Sequence, residues 1–180
     1  MKSINILGWN IREIIYAIIY LVVLVPAMIV LHETGHILGA LTVGIPLNGM
    51  KIGMSGSNPE VILPSIATGH FSNESLEVFY YAGGLFSAVF LACVYFFFIY
   101  RKYRVKPSWL FWFLGFMTAG LCTYQIGNAI VEGWFHTRYI YYSNESFSPM
   151  HEILIAFFIL GLILHYAFFP FPKSKRKTSE

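Results

Sequence analysis

The sequence predicts an all-α integral membrane protein. It is read as a four-transmembrane-helix bundle with a small irregular β-hairpin loop after the first helix. Three observations lead there. The 180 residues are 57% hydrophobic and only 12% charged, which is a membrane composition and not that of a soluble core. Residues 14–31 form an 18-residue run without a charge, long enough to be a spanning helix. Three further apolar runs follow, separated by polar or basic connectors.

The chain is read as one membrane-embedded domain, residues 1–180, with spans at about 14–43, 76–100, 108–132 and 150–169. The first span is too long for a signal-peptide core and is expected to be retained. Pro26 falls inside it and is expected to kink it. Gly44-Ile45-Pro46 ends it. Residues 45–75 are rich in Gly, Ser, Pro and Asn. Two short strands are expected there, near 50–54 and 61–63, with turn chemistry at Ser55-Gly56-Ser57-Asn58-Pro59. A basic connector at 101–106 separates the second span from the third. An aromatic-rich loop at 133–149 precedes the fourth, and the tail is basic. Cys93 and Cys122 lie in apolar runs and are read as buried thiols, not as a disulfide or a metal pair.

Four spans put both termini and the 101–106 connector on one side. Ten of the twelve Lys and Arg residues then share that side, with Lys51 and Arg138 opposite. The positive-inside rule makes the rich side cytoplasmic, in a multi-pass protein of the cell membrane. The charge therefore reports topology, and no nucleic-acid partner is expected. The Asn-x-Ser sequons at Asn73 and Asn144 fall outside, in agreement with that topology.

Near the outer end of the first span the chain reads His32-Glu33-Thr34-Gly35-His36. On a helix, positions i and i+4 share a face, so both imidazoles can aim at one point. That is the geometry of a Zn²⁺ site, one ion per chain, with Glu33 beside it as general base. Ionisable groups at membrane depth are costly and point to function. The chain contains no aspartate, so a third ligand must be a Glu or another His. Gln125, Asn128 and Glu132 fall at i, i+3 and i+7 near the outer end of the third span. Counting 1.5 Å per residue puts Glu132 roughly 39 Å above Lys106, and the two histidines roughly 30–36 Å above Arg12. Glu132 can therefore complete a two-His, one-Glu set. Glu74 and Glu77 are alternative carboxylates at the same level, and His70, His136 and His151 are also external. His165 falls toward the cytoplasmic end of the last span. Small residues recur at helix-packing spacing, as Gly35 and Gly39, Gly83 and Ser87, and Gly115 and Ala119.

These motifs resemble the site-2 protease family of intramembrane zinc metalloproteases. His32-Glu33-Thr34-Gly35-His36 with Ala40 looks like the family's H-E-x-G-H-x-x-x-A. Tyr81-Ala82-Gly83-Gly84-Leu85-Phe86-Ser87 is similar to its A-G-P-x-x-N stretch, with Gly84 for Pro and Ser87 for Asn. Asn128 through Glu132-Gly133 resembles its N-x-x-P…D-G motif, with Glu132 for Asp and no Pro. The resemblance covers residues 14–133 and does not extend to added PDZ or CBS modules. It implies zinc-dependent hydrolysis of a peptide bond in a membrane-anchored or membrane-associated protein. Asn128 would then donate to the developing oxyanion, and the 50–63 hairpin would offer an edge for an extended substrate. The alternative is a zinc-binding but non-hydrolytic membrane scaffold or escort on the same fold. A metal transporter would want polar residues along whole helices, and here they gather at one end. A di-iron oxygenase would want more clustered histidines.

Overall fold

A computed structural model describes residues 5–6, 9–55, 58–63, 72–136, 149–169 and 171–172. Two short strands, β1 (Asn5–Ile6) and β2 (Trp9–Asn10), pair antiparallel ahead of the first helix. Helix α1 (Ile11–Thr42) then runs 32 residues. It starts on a capping box, in which the Asn10 side chain accepts from the helix while Glu13 accepts from the Asn10 backbone. Pro26 lies inside this helix and does not end it. Gly44 follows with φ of 85°, a left-handed position suited to glycine.

Strands β3 (Lys51–Ser55) and β4 (Asn58–Ile62) form an antiparallel hairpin, with Ile52 opposite Val61 and Ser55 opposite Asn58. The expected hairpin is present; its second strand starts three residues earlier than the 61–63 expectation, because pairing begins directly across residues 56–57. Helix α2 opens as Asn73–Cys93, passes through a wider π-type stretch at Val94–Tyr100, and closes as Arg101–Val105. The basic residues expected to be a connector therefore extend the helix. Helix α3 (Trp109–Ile130) is capped by Ser108, whose hydroxyl accepts from the Phe111 N–H, and ends in a π-type turn at Val131–His136. Helix α4 (Pro149–Phe168) is the last among the described residues.

Among the described residues, four helices are long and apolar enough to cross a membrane. Their outward faces are apolar as well, with Val22, Val23, Phe97 and Ile163 exposed. An apolar surface of that extent calls for lipid, not water. This is a membrane protein. Cys93 joins the outward-facing residues and is exposed, contrary to the expected buried thiol, while Cys122 is half-buried; both are free.

Helix α2 packs against both α1 and α3, and α3 packs against α4. Glycines set the first two contacts. A Cβ on Gly35 would fall 2.5 Å from the Ala82 carbonyl oxygen, and one on Gly84 2.5 Å from the Ala129 nitrogen and the Gln125 carbonyl oxygen. Backbone meets backbone at both places, so neither contact can yield to a rotamer change. Between them Leu24, Met28 and Leu91 form a small buried cluster. A second cluster joins Ala40, Ile45, Val61 and Phe79, and it seats the hairpin on the ends of α1 and α2.

The Gly84 contact makes a prediction. Gly84→Val should lower stability by about 1–3 kcal/mol, the usual cost of overpacking. Gly49→Ala, whose added Cβ meets nothing nearer than 3.6 Å, should leave it unchanged. Thermal unfolding of both variants in detergent would check this.

Candidate metal centre

The i, i+4 spacing on α1 brings the two histidine rings side by side, with centroids 4.7 Å apart and both residues buried. Their Nε2 atoms lie 3.0 Å apart. Glu132, carried by the π-type turn that ends α3, brings Oε2 to 3.1 Å from His32 Nε2 and 3.3 Å from His36 Nε2. Such widened turns are frequent at functional sites. Among the described residues, His32, His36 and Glu132 are the group able to hold a metal ion. Glu132, the carboxylate expected from helix counting, is thus the one brought to the two histidines. Glu74 and His151 are exposed, and neither they nor Glu77 joins the group. His70, the side chain of His136 and the sequon at Asn144 lie outside the described residues. His165 is elsewhere in the bundle, where its Nδ1 shares a 2.8 Å hydrogen bond with the Tyr95 hydroxyl.

The outer ring nitrogens set the tautomers. His36 Nδ1–H donates to the Phe79 carbonyl at 2.8 Å, and His32 Nδ1–H donates to Gln125 Oε1 at 3.1 Å. A neutral imidazole carries one N–H. With both protons on Nδ1, both Nε2 atoms present lone pairs to the same point as the Glu132 carboxylate. Three electron-pair donors face each other with no hydrogen among them, and a cation at their centre relieves that repulsion. The spacing suits zinc. Bonds of about 2.0–2.1 Å at the tetrahedral angle put neighbouring donors about 3.3 Å apart. The observed separations are 3.0, 3.1 and 3.3 Å. Gly83 borders this point; a Cβ there would lie 2.5 Å from His36 Nε2 and 2.9 Å from His32 Nε2.

Asn128 Nδ2 donates to Glu132 Oε1 at 3.2 Å. Asn128, read from sequence as an oxyanion donor, thus braces the Glu132 carboxylate from one turn below it. Gln125 was on the same polar face by spacing, and its contact with His32 gives it a role that spacing alone did not. The Phe79 carbonyl had no signal in the sequence, since every residue has one. Glu33 points off the metal face, where its Oε2 accepts from the Val61 N–H of β4 at 2.8 Å.

No family model, curated protein or solved structure matches the chain.

Partners that orient a ligating histidine are typically worth 10–100-fold in metal affinity. Gln125→Leu should accordingly weaken the binding of an added divalent metal ion by about that factor, measured by competition with a chromophoric chelator. Gln125→Glu, which keeps an acceptor for His32 Nδ1–H, should stay closer to wild type.

Proposed function

We propose that this protein is a zinc-dependent intramembrane endopeptidase. Its substrate class is a membrane-anchored or membrane-associated protein, cut at a peptide bond. The observation that carries the reading is the convergence of His32 Nε2, His36 Nε2 and Glu132 Oε2 within 3.3 Å, beside a glutamate that is not one of the three. The resemblance of the motifs to the site-2 protease family points the same way.

His32, His36 and Glu132 would hold one zinc ion and leave its fourth position open. Zinc bound there supplies Lewis-acid polarisation of the scissile carbonyl and acidifies a water molecule. Glu33 takes a proton from the attacking water and delivers it to the nitrogen of the leaving amine as the C–N bond breaks. Asn128 steadies Glu132 through one amide N–H and offers the other to the developing oxyanion. The burial of both histidines keeps their Nε2 atoms from bulk water.

The substrate must present an extended segment, because a helix keeps its carbonyls in its own hydrogen bonds. The β3–β4 hairpin supports that requirement, since a strand edge can receive an extended chain by main-chain pairing. The distribution of Lys and Arg supports cytoplasmic termini, with the centre toward the outer face of the cell membrane. One centre, one chain and the bilayer suffice for this reading; nucleic acid has no part in it.

The test is Glu33→Gln in purified protein reconstituted into vesicles with a panel of single-span fluorogenic peptides. Wild type should cut at least one of them. The variant should lose 100-fold or more of that rate, the scale of a removed general base, and keep its metal. Equal cleavage by both proteins would end the protease reading. Metal retention without cleavage by wild type would favour the scaffold alternative.

A further inference from the structure

The Glu33–Val61 contact lies where the proposed base meets the proposed substrate edge. In an antiparallel ladder, residues opposite each other alternate between hydrogen-bonded and non-hydrogen-bonded pairs. The Val61 N–H points at Glu33 Oε2, 2.8 Å away. The Ile52–Val61 pair is therefore a non-hydrogen-bonded one, and Val61 turns its backbone polar groups away from β3. By the same alternation the Met54–Pro59 pair is also non-hydrogen-bonded. Proline, which has no N–H, is tolerated at such a position. The outward edge of β4 thus carries a donor at Val61 and none at Pro59.

At Val61 that edge meets α1, which β4 packs against. The Val61 side chain is buried with Ala40, Ile45 and Phe79, so the strand cannot rotate its N–H elsewhere. The carboxylate of Glu33 occupies the position that the carbonyl oxygen of an added strand would take. A buried N–H needs an acceptor, and here the acceptor is the residue assigned as general base.

We infer that Glu33 and Val61 form a latch: the general base is held by the strand edge until an extended substrate supplies its own carbonyl to the Val61 N–H and releases it. This inference rests on the protease reading of the centre and adds a regulatory step to it. Docking and activation become one event. A helical segment offers no free carbonyl, so it neither docks nor releases the base. Pro59 limits the pairing to the Val61 end of the strand, which is the end beside Glu33.

Two measurements test the latch. The first is hydrogen exchange at the Val61 amide. Its rate should rise about tenfold or more in Glu33→Ala, the scale of losing a hydrogen bond to a charged acceptor. An unchanged rate would overturn the inference. This readout needs neither metal nor cleavage. The second compares two zinc-directed probes, acetohydroxamate and a peptidyl hydroxamate with an extended tail, on wild type and Val61→Pro. In wild type the tail should improve affinity severalfold through main-chain pairing at Val61, a gain held down because the tail's carbonyl must displace the Glu33 carboxylate from the Val61 N–H. In Val61→Pro that gain should vanish, while acetohydroxamate binds at least as tightly as to wild type because Glu33 is already free. A tail gain that persists in the variant, or parallel weakening of both probes, would overturn the latch alone. Failure of wild type to bind either probe would overturn the protease reading itself, so the two failures are told apart.

Discussion

Three donor atoms turned toward one point are the constraint on which the rest of this structure depends. His32 Nε2, His36 Nε2 and Glu132 Oε2 sit within 3.3 Å of one another. They stay there because the far side of each ligand is tied down. Phe79 and Gln125 take the two Nδ1 protons, and Asn128 takes the second carboxylate oxygen. Three helices contribute, so the centre exists only when α1, α2 and α3 are packed in register. In a bilayer there is no hydrophobic force between helices to enforce this. Backbone-to-backbone approach at Gly35 and Gly84 does so instead.

Much of this was legible in the sequence, for identifiable reasons. The His32–His36 pair follows from helical periodicity alone. The arrival of Glu132 follows from counting rise along two parallel spans that start on the same side. It needed no contact information, because membrane spans are nearly straight and begin at a common level. The hairpin was legible as two short apolar runs about a Gly-Ser turn. The four spans were legible because each carries an apolar window of 18 residues, about the length a helix needs to cross the hydrocarbon core.

What was not legible is set by tertiary contact. No local signal distinguishes the Phe79 carbonyl from its neighbours, yet it fixes the tautomer of His36. Gln125 and Asn128 were visible as a polar face, but which ligand each one holds depends on how α3 is rotated. The Glu33–Val61 contact joins a helix to a strand 28 residues later and has no pattern at all. Residues 101–106 carry four positive charges and read as a connector, but α2 continues through them to Val105, since Lys and Arg are good helix formers. Cys93 lies in an apolar run as a core residue would. In a membrane, however, apolar residues also face outward, and Cys93 does.

The most direct test of the account is the metal content of purified protein, measured by elemental analysis beside His32→Ala and Glu132→Ala. The account predicts about one zinc per wild-type chain and loss of it in both variants, because each removes one of three protein donors. Zinc retained at full occupancy in Glu132→Ala, or absent from wild type purified without chelator, would contradict it.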